Sequence, residues 1–208
     1  MAGSPFFMGG CRCRLKFMHK HLALAFASGL SLMAFAASGY AAEPVMDNER
    51  IVVWDTKSAL PAAQHDFVAV SLDHKGHARF GHKGQIPAKD GAHTVVIELK
   101  GVKLPPLENT TGLPLAFPRP RIHKLFENDQ VVVWNYIWLP GQKTPMHFHD
   151  KDTLVVFQDT GALSSTTQDG KVVVNEYQDG DIRFNKRDRS HSELLVKGQM
   201  RAVITELK

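Results

Sequence analysis

TPMHFHDKDTLVVFQDTG, Thr144 to Gly161, is the stretch on which the fold turns. In an extended strand successive side chains point to opposite faces, so His147 and His149 look one way and Phe148 the other. Two imidazoles so placed have the spacing to share one metal ion, and they equally suit the half-exposed edge of a sheet. The run TLVVFQ from Thr153, bounded by Asp152 and by Asp159 to Gly161, reads as the following strand.

Similar β-branched and aromatic runs lie on both sides, punctuated by Gly, Pro, Asn and Asp. RIVVW from Arg50, FVAVSL from Phe67, HTVVIEL from His93 and VVVWNYIWL from Val131 precede the stretch. KVVVNEY from Lys171, DIRF from Asp181, SELLV from Ser192 and RAVITEL from Arg201 follow it. Asp169-Gly170 and Asp179-Gly180 predict tight reversals. No amphipathic helix stands out, so the expectation is an all-β chain. LPPLENTTGLPLAFPRPR, with Pro105, Pro106, Pro114, Pro118 and Pro120, excludes a central strand. Residues 105–122 are therefore predicted to be a connector packed along a surface, between a β unit at 42–104 and a second at 123–208.

The two units echo each other in order: RIVVWDTKSALP with QVVVWNYIWLP, HDFVAVSLD with KDTLVVFQD, GHARF with GDIRF, HTVVIELK with RAVITELK. A duplicated β unit explains the order, and the compositional likeness of Val-rich strands is the competing explanation. Under duplication the first unit lacks the MHFH segment, and only the second holds the site.

Residues 1–41 carry Arg12, Arg14, Lys16 and Lys20, then the apolar run LALAFASGLSLMAFAA from Leu22, then small residues before AAEPV. This reads as an export signal, with cleavage expected after Ala41. Met18 serves equally well as the start, since MHKHLALAF is itself a short basic-then-apolar leader. The leader holds four of the 25 Lys and Arg and none of the 21 Asp and Glu, so the formal charge of +4 vanishes on cleavage. That removes the charge argument for nucleic acid or an anionic membrane surface. A periplasmic or secreted location is expected, without membrane attachment once the leader is gone. Cys11 and Cys13 both precede the apolar run, so the mature chain has no disulfide and relies on a packed core.

PGQKTPMHFH resembles the first motif of the cupin family, in which Gly is followed after five residues by H-x-H, then by Glu and a closing Gly. Here Gly141, His147, His149 and Gly161 take those places. The family's second motif has a histidine eleven residues after its first glycine, and His191 stands eleven residues after Gly180. The resemblance covers about Val131 to Leu207. It implies a jelly-roll β-barrel, the first unit being a degenerate cupin-like half. It also implies that His147, His149 and His191 converge inside the barrel mouth on a divalent ion such as Fe, Mn, Zn or Ni.

The chain departs from the pattern at the glutamate, where Thr153 or Leu154 stands, and at the proline and glycine of the second motif, where Lys186 and Asp188 stand. A three-histidine site resembles the thiol dioxygenase branch of the family. The other repair is Glu193, two residues beyond His191 and on the same strand face, as an additional ligand.

Arg187 and Arg189, in NKRDRS, are candidates to hold a substrate carboxylate. Tyr136 and Trp138 share a strand face near the site, while Asp150 and Asp152 are expected in a solvated turn. His74, His77 and His82 are read as a surface cluster, and His65, His93 and His123 as structural. The expected function is an exported metal-binding cupin acting as an oxygenase on a small-molecule ligand. The alternatives are a non-catalytic periplasmic cupin that binds a metal or ligand, and a metal-free structural module. The open strand edges of a half-barrel would favour pairing of two copies into a homodimer.

Overall fold

The computed structural model describes Glu43–Lys208, and the export-signal reading, with Cys11 and Cys13, lies outside these residues. The first unit contains β1 (Met46–Asp47), β2 (Ile51–Thr56), β3 (Asp66–Ser71), β4 (Ala78–Gly81) and β5 (Thr94–Leu99) in one antiparallel sheet of order β1-β2-β5-β3-β4. In the second unit come β6 (Ile122–Glu127), β7 (Val131–Trp138), β8 (His147–His149), β9 (Thr153–Phe157) and β10 (Gly161–Thr167). They are followed by β11 (Val172–Tyr177), β12 (Ile182–Asn185), β13 (Arg189–Gly198) and β14 (Met200–Leu207). These strands divide between a sheet of order β12-β9-β14-β7-β6 and a sheet of order β11-β10-β13-β8. The chain switches between the two sheets on the way from β7 to β14, which is the strand order of a jelly roll. No helix occurs among the described residues.

Period-two alternation makes the β12-β9-β14-β7-β6 sheet the middle of three layers. Val131, Val133, Leu154, Val156, Val203 and Leu207 point to one side, into a core shared with Ile51, Val53, Val68, Val70, Val95, Ile97 and Leu99 of the first unit. Trp134, Tyr136, Trp138, Val155, Phe157 and Ile204 point to the other, against Leu163 and Leu195 of the histidine-bearing sheet. The runs of β7, β9 and β14 are largely apolar on both faces because these strands are buried on both.

The first unit's sheet and the middle sheet share strand order and register. Ile51 pairs with Leu99 as Val131 pairs with Leu207, and Phe67 pairs with Glu98 as Thr153 pairs with Glu206. Arg79 pairs with Ala69 as Arg183 pairs with Val155. The two sheets are also joined reciprocally. Arg50 Nη1 donates to Asp152 Oδ2 at 2.8 Å, and at the matching positions Gln130 Nε2 donates to Asp66 Oδ2 at 2.7 Å. Beyond this layer the likeness ends. The outer face of the first sheet is covered by loop residues Leu60, Ala63 and Ala88 packed on Phe67, Ala69 and Val96, with no second sheet among the described residues.

The connector does more than the expected surface packing. Leu115 forms a parallel bridge with Phe148, Ala116 N–H donates to Phe148 O at 2.8 Å, and Phe148 N–H donates to Pro114 O at 2.9 Å. Proline density leaves it too few donors for a long ladder, but one bridge suffices to flank β8. Ala116 and Phe117 are buried by this docking. Asp150 and Asp152 also depart from expectation, since both are buried: Asp152 accepts from Arg50, and Asp150 pairs with Lys151 at 2.8 Å.

Candidate metal centre

β13 pairs antiparallel with β8 so that His191 lies directly across from His147, with Arg189 across from His149. That register brings the third histidine to the first two. Their ring centroids are 5.0 Å (His147 to His149), 4.8 Å (His147 to His191) and 5.0 Å (His149 to His191) apart. One nitrogen from each ring lies within 4.8 Å of the others.

The hydrogen bonds indicate which nitrogens converge. His147 Nδ1 is 2.8 Å from Pro145 O, an oxygen that only accepts, so Nδ1 carries the proton and Nε2 keeps its lone pair. His191 Nδ1 is 3.3 Å from Ser165 Oγ, turning its Nε2 inward to within 3.1 Å of His149 Nε2. Two nitrogens at 3.1 Å suit neighbouring ligands of one ion bound at about 2.1 Å. Burial, then Arg119 and His191, push the His147 imidazole down to about 4. Burial, then Arg189, holds His149 well below its ordinary value, and burial lowers His191 although Glu193 opposes it. Neutral imidazoles with lone pairs turned to one point are the form that binds a metal. The donor set therefore fits a borderline divalent ion, the class that imidazole nitrogens suit.

Arg119, which the sequence reading missed, completes the surroundings. Its Nη1 lies 3.3 Å from His147 Nε2 and its Nη2 3.4 Å from Glu193 Oε2, and its guanidinium lies 4.0 Å from the Tyr136 ring centroid. The guanidinium donates to the lone pair an ion would take, so the contact with His147 and an ion on that nitrogen exclude one another. Glu193 shares the triad's face, as alternation predicts. Its Oε1 is 3.9 Å from His191 Nε2, while its Oε2 accepts from Trp138 Nε1 at 3.0 Å. Burial would raise this carboxyl, but Arg119, His191 and His147 outweigh it and hold Glu193 below its ordinary value.

His149 and His191 open onto a cavity of about 90 Å³ whose walls include Trp138, Thr153, Val155, Arg183, Arg189 and Glu193. Thr153 faces it from the position where the glutamate would stand, whereas Leu154 points into the opposite core. Of the four candidates for ligand contact, Trp138 and Arg189 line the cavity, and the other two do not. Tyr136 lies beneath the Arg119 guanidinium, and Arg187 donates from Nη1 to Pro105 O at 2.5 Å, outside the cavity lining. Asp188, with φ of 65°, is the reason: its left-handed backbone interrupts the alternation between Arg187 and Arg189. It also takes the conformation that glycine would supply at this motif position. His74, His77 and His82 do not converge, each facing its own carboxylate: Asp179 at 3.6 Å, Asp73 at 2.6 Å and Asp66 at 3.5 Å.

No family profile and no curated protein matches the chain. Among solved structures it is similar to a cupin domain from Bordetella pertussis Tohama I, with 25% identity over 42% of this chain and 91% of that one, at a TM-score of 0.40. It is also similar to a cupin 2 conserved barrel domain protein from Leptotrichia buccalis, with 12% identity over 80% of this chain and 88% of that one, TM-score 0.48. A third is an RmlC-like cupin family protein with a double-stranded β-helix fold from Methanocaldococcus jannaschii, with 12% identity over 51% and 90%, TM-score 0.36. Its own strand order, with the histidine pair on β8 and the third histidine across from it on β13, gives this chain the cupin-type jelly-roll fold.

Proposed function

We propose that this protein binds one divalent ion, of the Fe, Mn, Zn or Ni class, through His147, His149 and His191, and presents it to a small molecule in the adjoining cavity. The observation that carries the reading is the convergence of three neutral imidazoles, with His149 and His191 Nε2 only 3.1 Å apart. The Pro145 carbonyl and the Ser165 hydroxyl orient two of the rings. A bound ion supplies Lewis acidity or redox chemistry with coordination positions open to the cavity. Trp138 and Val155 keep water from part of that space. With the export signal at 1–41, the place of action is the periplasm or the exterior.

Metal analysis of the tag-free protein, beside a His147→Ala/His191→Ala variant, tests this. About one ion per chain in the wild type and none in the variant is expected, and stoichiometric metal in the variant overturns the triad. A second reading, oxygenase turnover, is favoured by Glu193, whose carboxylate lies 3.9 Å from His191 Nε2 on the cavity wall. Glu193 is placed to take or return a proton of a bound substrate. Oxygen uptake by the metal-loaded protein on small thiols and dicarbonyls is the measurement. Uptake abolished in Glu193→Gln with metal retained supports turnover, and a metal-replete protein inert to the whole panel leaves binding alone.

A further inference from the structure

Three guanidinium groups, from Arg119, Arg183 and Arg189, line the cavity against the single carboxylate of Glu193. Arg119 is already committed, sharing Glu193 with Trp138. Arg183 donates from Nη1 to the Tyr177 hydroxyl at 3.0 Å, and Arg189 from Nε to Lys186 O at 2.7 Å, and both partners are neutral. Among the described residues, neither Arg183 nor Arg189 has a carboxylate within the 4.0 Å of an ion pair. Two like charges facing one small cavity, with terminal nitrogens uncommitted to any carboxylate, are arranged for an anion from outside.

The remaining walls narrow the class. Val155, Phe157, Leu163 and Ile204 give the cavity an apolar side, which a carbon skeleton fills and an inorganic oxyanion does not. At about 90 Å³ the space is smaller than the roughly 150 Å³ that houses a benzene ring, so the ligand is short. We infer that the cavity takes a short-chain organic carboxylate, its carboxyl group held by Arg183 and Arg189 and its skeleton lying against the apolar wall toward the histidines. The inference rests on the metal-site reading only for what the far end of the ligand meets, since the anion contact belongs to the arginines.

The full chain, metal-loaded and metal-stripped, is titrated calorimetrically with acetate, pyruvate, malonate and succinate, with acetamide as the neutral control and inorganic phosphate as the rival anion. At least one carboxylate binds and acetamide does not. In Arg183→Gln and in Arg189→Gln the carboxylate affinity falls about tenfold or more, the weight of a lost charge-assisted contact, and Arg189→Lys recovers part of it. Carboxylate affinity unchanged in the Arg183→Gln/Arg189→Gln variant overturns the inference. So does failure of all four to bind, or a preference for phosphate over each of them. Metal content measured on the same samples separates the two readings. Carboxylate binding that depends on the arginines in metal-free protein upholds the anion site even where the histidines hold no ion, and a full metal site without carboxylate binding removes the anion site alone.

Discussion

Phe67 and Thr153 occupy the same place in two sheets of like order, Phe67 paired with Glu98 of β5 and Thr153 with Glu206 of β14. In the first sheet the Phe67 ring lies so close to Gly81 that a Cβ there would come within 2.2 Å of it, and the Arg79 guanidinium sits 5.1 Å from its centroid. In the middle sheet the corresponding residues are Thr153, Asn185 and Arg183, and all three line the cavity. The same backbone frame thus carries a filled face in one unit and a ligand-sized space in the other. A small side chain at the Thr153 position, together with a second sheet to wall the space and bring histidines to it, makes the difference.

The comparison can be broken most forcefully at Phe67. Phe67→Ala should cost about 3–5 kcal/mol in urea unfolding, because the ring is fully buried and the loop above it cannot collapse onto the void. A loss under about 1 kcal/mol would show that the first sheet is not packed as its counterpart is open. Next in size is the asymmetry of the reciprocal bridges. Asp152→Ala removes the only carboxylate paired with the buried Arg50 guanidinium among the described residues and should cost about 3 kcal/mol, whereas Gln130→Ala, at the matching half-buried amide–carboxylate contact, should cost about 1.5 kcal/mol.

Acid sharpens the contrast further. His147 is held at about 4 in the folded chain against 6.5 ordinarily, so below pH 6.5 the unfolded chain takes up a proton that the metal-free folded chain refuses. Stability is therefore lost as pH falls, by about 2 kcal/mol from this residue at roughly pH 5. Denaturant midpoints of the metal-stripped protein measured across that range should show this slope, and His147→Gln should flatten it. The smallest change in stability is expected from Thr153→Phe, about 1 kcal/mol or less, because the added ring enters existing space. It should nonetheless abolish carboxylate binding, and a variant that still binds would show that the cavity lies elsewhere.

Much of this was legible in the sequence, for reasons that differ by residue. Strands with two buried faces announce themselves as Val-rich runs, and His147, His149 and His191 were found because alternation and the cupin spacing agree. Thr153 was one of two choices that only the pairing with Glu206 resolves. Arg187 and Arg189 looked equivalent because the left-handed turn at Asp188 leaves no certain mark in sequence. Arg119 went unseen for a different reason. It lies in a proline-rich segment with no periodicity, and its place beside His147 is set by a docking event between residues 28 positions apart. Arg183 was visible only as part of the echo GDIRF, and its cavity-facing role required the register of β12 on β9.

The single bridge between the connector and Phe148 has a consequence for the fidelity of the site. A short strand such as β8, held on one side only, is free to slide by one position along its neighbour, and a slide of one residue would turn both histidines away from the site and Phe148 toward it. Pro114 and Ala116 grip Phe148 through its amide and its carbonyl, so β8 is held from both sides and that slide would break two hydrogen bonds at once. The segment poorest in backbone donors thereby acts as the latch on the strand whose alignment matters most, and slow deuterium exchange at the Phe148 amide is its direct signature.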